Sequence, residues 1–299
     1  VPTNRDLTTL TLEELLTVEV RLVTGASRFE QRLEDAPARI DVYTRDEIRR
    51  FGFRTIADIL NSLGGVFVTY DRNYHYFGTR GFVRPGELNS RLMMLIDGNR
   101  LSDTVYGSSP IGYDLPLDLD LIEKIEIIRG PCSALYGDNA FFGVINIHTR
   151  KGESFSGQGE ISGHVGTHGT GGARVTWLER GQRSELLISH SAMGSNGADR
   201  LFYPVFNAPE TNNGVAENRD WSRDRDTFLR YRRGPWTFEA LHGRFDKGYP
   251  TGAYDSLFND PDTNTSDSFH HVALHYRGEY ARERRLDVRL VTGGLDFSG

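Results

Sequence analysis

The chain has 299 residues, with 35 Lys and Arg against 41 Asp and Glu, a net charge of −6 and a single cysteine. Mild acidity argues against general nucleic-acid binding, which needs an excess of cations. One cysteine excludes a disulfide framework and a cysteine zinc site; no run of 18 apolar residues exists to form a transmembrane helix, and a β-barrel stays open because its strands show only as short alternating segments.

The first half, to about residue 152, reads as mixed α/β. "TLEEL" predicts a short helix capped by Thr11, with Glu14 completing a capping box. "TRDEIRRFG" repeats the device with Thr44, Glu47 and a terminating Gly52. "TIADILNSLGG" does so again, with Ile56, Ile59, Leu60 and Leu63 on one face and Gly64 as the stop. Strands are predicted at "IDVYT", "GVFVTY", "RLMMLIDG", "KIEIIRG" and "GVINIHTR", which together make a small sheet with helices packed on it.

The second half changes character. It contains no helical period and divides into seven stretches of about ten residues, at 158–166, 171–179, 183–192, 222–233, 235–245, 269–279 and 285–295. Tight polar connections such as "RGQR" and "RGPW" contrast with two long loops rich in Asn, Asp, Gly and Pro, near 194–221 and 246–268. Thr227, Leu229 and Tyr231 share one strand face, opposite Arg230 and Arg232. Val272, Leu274 and Tyr276 oppose His271, His275 and Arg277, and Leu286, Val288 and Leu290 oppose Asp287 and Arg289. Alternation alone fits a soluble sandwich with its apolar face inside or a barrel with its apolar face in lipid. The rhythm of short turns and long loops favours the barrel.

Three segments carry a resemblance to a known family. "FGTRGF" (Phe77–Phe82), "LIDG" (Leu95–Gly98) and "IEKIEIIRGPCSALYGDNAFFGVINIHTR" (122–150) follow in order, and with them the chain resembles a TonB-dependent outer-membrane receptor over about residues 18–152. Cys132 departs from the small Ala or Gly more common in the family at that place. The resemblance implies an N-terminal segment at 1–17, an α+β plug domain at 18–152 and antiparallel transmembrane β-barrel strands over 153–299. A plug needs a lumen of about 22 strands, so seven make a partial barrel, whose remaining strands are expected beyond residue 299.

The family likeness also implies site residues. Glu19, Val20, Arg21, Leu22, Val23 and Thr24 are similar to a TonB box, the segment that pairs by strand addition with the energy-coupling protein TonB; a first plug strand is the alternative. Arg80 and Arg129 fall in motifs whose arginines pair, in the family, with barrel acids of later strands, solvation or pairing within the plug being the alternative; the polar residues around Arg129 are expected to find partners on the barrel wall. Tyr74, His75, Tyr76 and Arg84, with Tyr106 and Tyr113 from a second loop, are the ligand-facing candidates: aromatic faces and a fixed cation suit an anionic iron chelate. The alternative is that these aromatics only pack against the barrel.

His270 and His271 are adjacent on a strand and must face opposite sides. The acids of "DLPLDLDLIEKIE" lack the spacing of a calcium loop. No nucleophile elbow, zinc-protease helix, Walker loop or dinucleotide fingerprint occurs, so no enzyme and no cofactor is expected. The expected partners are TonB, a scarce small ligand such as a ferric siderophore, haem or cobalamin, and outer-membrane lipid, with no nucleic acid.

Overall fold

A computed structural model describes residues 22–23, 31–32, 38–83, 86–101, 106–252, 256–281 and 284–299. The helix expected at "TLEEL" and candidate residues Glu19, Val20, Arg21, Thr24 and Arg84 lie outside these.

The N-terminal body begins with the short pair β1 (Leu22–Val23) and β2 (Gln31–Arg32), followed by β3 (Arg39–Thr44). Helix α1 (Arg45–Phe51) starts at Thr44, whose hydroxyl accepts from the Glu47 amide while the Glu47 carboxylate accepts from the Thr44 amide. It ends on Gly52 at φ 70°, a left-handed stop that glycine adopts freely. Helix α2 (Ile56–Asn61) carries the same device on Thr55 and Asp58, and buries Ile56, Ile59 and Leu60. It is capped at Ser62, two residues before the expected stop at Gly64.

Strands β4 (Val66–Tyr70) and β5 (His75–Thr79) form a hairpin; sequence patterning anticipated only the first of them. A five-stranded sheet holds β6 (Leu92–Ile96), β7 (Asn99–Arg100), β8 (Ile122–Arg129) and β9 (Gly143–Thr149) together with β3, in the order β3-β8-β9-β6-β7. The two strands of the 122–150 segment are therefore antiparallel neighbours in mid-sheet. The loop between them holds helix α3 (Ser133–Tyr136). β6 and β9 are buried along nearly their whole length, as strands covered on both faces must be.

All seven predicted outer strands form. They are β10 (Gly159–Val165), β11 (Gly171–Arg180), β12 (Ser184–Ser195), then a loop with the small pair β13 (Arg200–Phe202) and β14 (Val215–Glu217), and then β15 (Ser222–Arg233), β16 (Trp236–Gly248), β17 (Asn264–Ala281) and β18 (Arg284–Ser298). They make one antiparallel meander in the order β10-β11-β12-β15-β16-β17-β18. Connections 181–183 and 234–235 lie at one end, with the close of β17 and the start of β18, and connections 166–170 and 196–221 lie at the other.

The body sits against one face of this wall. Ile96, Leu101, Leu115, Leu117 and Leu121 share a core with Leu178, Leu187, Phe228 and Leu241 from the wall. The opposite face leaves Val175, Trp177, Tyr231, Trp236, Val272, Leu286, Val288 and Leu290 exposed. Apolar-outward alternation thus holds, but the inner face is mixed rather than polar: Leu187 and Phe228 alternate along the strands with Glu185, Ser189, Asp226 and Arg230. The body displaces water from this face, so apolar contact is stabilising there.

Candidate functional site

The contacts between body and wall fall at three levels. At the long-loop end, the turn of the β4–β5 hairpin is organised by Asp71, which accepts hydrogen bonds from the Asn73 and Tyr74 amides at 2.8 and 2.7 Å and from the Tyr76 hydroxyl at 2.7 Å. Arg72 takes φ 77° there. Three consecutive side chains then reach outward, the first to the long loop before β15 and the next two to β17 of the wall. Arg72 Nη1 pairs with Asp220 Oδ2 at 3.0 Å, Thr265 Oγ1 donates to Asn73 Oδ1 at 3.0 Å, and the Tyr74 hydroxyl donates to Asp267 Oδ2 at 2.8 Å. Asp220 also holds the buried Lys247 ammonium at 2.8 Å and accepts from the Ala198 amide at 3.1 Å. One carboxylate therefore ties the hairpin, the wall and the long loop together.

Midway, Arg230 is 5 % exposed. It donates to Thr149 Oγ1 at 2.6 Å and to the Arg150 carbonyl, with Asp97 at 3.6 Å and Glu239 at 3.9 Å. Asn99 donates to Glu239 at 3.1 Å. At the level of β10, Arg150 forks onto Glu160 with two 3.0 Å bonds while its guanidinium stacks 3.7 Å from the Phe155 ring. Arg174 reaches the same Glu160 and lies 3.5 Å from Asp118. Such bidentate arginine pairs tolerate burial because their donors match the carboxylate geometry.

The ligand-facing candidates divide. Tyr74 bonds to the wall, and burial followed by the Asp267 charge raises its hydroxyl pKa. His75 stacks on Tyr70 at 4.3 Å, and burial lowers its pKa despite the acids Asp58 and Asp71. Tyr76 is 2 % exposed and offers no open stacking face. Tyr113 is half-buried, and burial raises its pKa; Tyr106 is exposed. Asp114, beside them, is pushed up to about 7 by burial and then by the Asp267 charge, although the Gly112 amide donates to it at 2.8 Å.

Arg129 bonds within the body: its guanidinium lies 2.6 Å from Asp41, and Nη1 donates to the Gly64 carbonyl at 2.8 Å. Arg80 occupies a turn at φ 52°, exposed, with no wall partner among the described residues. Asn139 likewise serves the body, donating to the Ser90 and Gly107 carbonyls and accepting from Arg100 at 2.6 Å. This loop makes local bonds here, while the barrel acids that the family likeness implies for Arg80 and Arg129 belong to strands other than the seven of this wall. Of the TonB-box candidates, Leu22 and Val23 are described; Val23 is fully buried with Ile40, Met93, Leu95 and Ile128.

His271 is buried inward and His270 exposed outward, as adjacent strand residues must be. Among the described residues no group of three or more His, Cys, Asp or Glu is placed to hold a metal ion. The wall partners Asp220, Lys247, Asp267 and Arg230 went unrecognised in the sequence. Arg72 and Asn73 lie inside the stretch singled out, but the turn that aims them depends on Asp71, and an Asp followed by polar residues gives only a weak turn signal.

Residues 32–144 match the model of the TonB-dependent Receptor Plug Domain. The chain is 29% identical over 255 residues to the vitamin B12 transporter BtuB of Photobacterium profundum, covering 84% of this chain and 39% of that one. It is 37% identical over 152 residues to the iron-regulated outer membrane virulence protein of Vibrio cholerae, covering 49% of this chain and 22% of that one. In structure it is similar to the pyoverdine outer membrane receptor FpvA of Pseudomonas aeruginosa (TM-score 0.67, 14% identity, 92% of this chain and 40% of that one). It is also similar to the ferric yersiniabactin uptake receptor FyuA of Yersinia pestis (TM-score 0.63, 16% identity, 87% and 41%). The chain thus spans about two-fifths of the length of the B12 transporter and of these receptors. Residues 32–144 are thus a plug domain of the TonB-dependent receptor kind, and the strands after it share the fold of the barrel strands in outer-membrane receptors.

Proposed function

We propose that the protein takes up a scarce ligand across the outer membrane by opening its plug, with an iron complex, in particular a ferric siderophore, as the leading ligand class. Haem and cobalamin follow. The domain division that goes with it is an N-terminal segment at 1–17, the plug at 18–152 and barrel strands over 153–299. The observation that carries the proposal is the Arg72–Asp220–Lys247 junction at the long-loop end. It joins the part of the plug exposed to an arriving ligand to the wall that the plug must leave. An anionic chelate competing with Asp220 for Arg72 would weaken that junction, and ion pairs can exchange partners where an apolar seam can only separate. Tyr70, His75 and Tyr113 stand beside it as contact surface.

TonB would supply the work, pairing with an extended segment that includes Glu19–Thr24. The buried Val23 must then be withdrawn from the plug core, which links pulling at the N-terminus to the sheet of β3, β6, β8 and β9. The process is gating, and no bond is made or broken. Deleting Glu19–Thr24 is expected to abolish energised accumulation of radiolabelled ferric siderophore while leaving its binding to whole cells intact. Unchanged accumulation would rule out coupling through this segment, and binding without any energised uptake in the parent protein would favour a non-transporting surface receptor.

A further inference from the structure

On the inner face of the wall, several charged side chains stand in register with their opposites. Glu185 of β12 lies across from Arg232 of β15 on one side and from Arg180 of β11 on the other. One inward row further along, Arg230 of β15 faces Glu239 of β16. Opposite charges on cross-strand neighbours attract and lie near enough to bond. Yet these pairs are not closed. Arg232 stays 3.7 Å from Glu185, and Arg230 stays 3.9 Å from Glu239, beyond hydrogen-bond reach. By contrast Arg277 and Asp287, an in-register pair of the same face that no described plug residue reaches, are closed at 3.1 Å.

Groups of the plug and of the segment leaving it take up the partners instead. Glu185 Oε1 accepts from the Gly152 amide at 3.3 Å, and Gly152 sits so close that a Cβ there would collide with the carboxylate. Arg180 Nη2 donates to the Gly152 and Phe155 carbonyls, the second at 3.0 Å. Arg230 donates to Thr149 Oγ1 and to the Arg150 carbonyl, while Glu239 accepts from Asn99 at 3.1 Å. The plug side is matched as well. Asp97, the plug acid facing Arg230, already accepts from the Thr149 amide at 3.0 Å and from its hydroxyl at 2.5 Å. Separation at this level therefore strands no charge on either body, and a stranded charge is what makes breaking a buried pair costly.

We propose that Glu185–Arg232 and Arg230–Glu239 are exchange pairs: a seated plug holds each open, and on release each closes on itself. The wall then replaces its bonds to the plug with bonds of its own. Arg180 joins Glu185 from the other side once the Gly152 and Phe155 carbonyls have withdrawn. Closing of these pairs offsets part of the cost of the lost contacts, while water entering the lumen hydrates the freed backbone groups of the plug. The inference rests on the gating reading above and adds to it the groups that make the seam reversible.

The test uses the whole receptor in planar lipid bilayers, where urea releases the plug and ion conductance reports each opening. It needs neither ligand nor TonB, so its failure and that of the uptake reading are separable. Arg232 bonds to no described plug residue, and E239Q keeps an oxygen for Asn99. Both substitutions thus spare the seated bonds to the plug and remove a pair of the released state. R232Q and E239Q are each expected to lower the open-to-closed ratio about threefold at a fixed urea concentration, the scale of one exposed ion pair. R232K should return the parent ratio. Residues that only brace the resting wall would do the reverse, opening more readily when neutralised. Heat-modifiable migration checks that each barrel is folded at the urea concentration used. An unchanged or higher ratio in either neutral variant, or R232K behaving as R232Q does, would overturn the proposal.

Discussion

Arg230 is a charge that nearly all water has left, and it persists because two carboxylates and two neutral oxygens surround it. Removing such a partner strands the remaining charges, at about 3–5 kcal/mol. R230M should therefore loosen the plug, seen as a lower midpoint in chemical denaturation and faster protease cleavage, and pairing it with E239Q should recover part of the loss. Glu126 makes a pH-dependent contribution. Burial alone would raise its pKa, but bonds and charge from His148 and Lys124 outweigh it and hold the carboxyl at about 2, against an ordinary 4.5. A depressed carboxyl stabilises the fold above its unfolded pKa, and the contribution is lost as pH falls from about 4.5 through about 2. It is on the order of 3 kcal/mol. E126Q should flatten the stability profile across that window; an unchanged slope would contradict this assignment. Asp114 has the opposite sign: with its folded pKa raised to about 7, the plug should lose stability as pH rises from about 4 through 7. The groups facing it are Asp267 and Tyr74 from the apex contact, His75 beside Gly112, and Asp224 on β15. D114N should remove that loss.

At the level of elements, capping and close approach decide the outcome. Thr44→Ala removes the side-chain acceptor that starts α1 and should cost about 1 kcal/mol in thermal or denaturant unfolding. Gly243 lies where β16 passes Pro116 of the plug: a Cβ there would sit 2.4 Å from the Pro116 Cβ and 2.7 Å from its Cα. Backbone cannot swing aside, so G243A should disturb plug seating far more than an alanine at a freely exposed glycine such as Gly159, and increased passive influx of a large antibiotic would report it. The two helices were readable at their starts because a Thr followed three residues later by an acid carries its own hydrogen-bonding logic. Their ends were less so: α2 stops at Ser62, where a bifurcated backbone bond suffices without glycine. β5 escaped notice because "HYFGT" interrupts alternation with a glycine, and that glycine is there because the Phe67 ring lies across it.

For the molecule as a whole, architecture was legible and partnership was not. The strand lengths, the alternation of Leu229 with Arg230, and the order of short turns and long loops each follow from local spacing. Whether Arg129 meets Asp41 or a wall acid depends on which surfaces come within a few ångströms, and single-chain patterning carries no such distance. Tyr76 illustrates the same gap, since an aromatic in a ligand-facing stretch is indistinguishable from one that folds back onto Asp71. The mixed inner face of the wall was also hidden: a water-filled lumen and a filled one share the same outward pattern and differ only in whether Leu187 and Phe228 have something to touch. The central claim is that the apolar side of these strands meets lipid while the other side grips the plug. Spin labels placed singly along β15 in reconstituted protein test it directly. Positions 227, 229 and 231 should be reached by lipid-soluble oxygen, and 226, 228 and 230 by neither oxygen nor a water-soluble nickel chelate. Oxygen access at 228 and 230 with chelate access at 229 and 231 would contradict it.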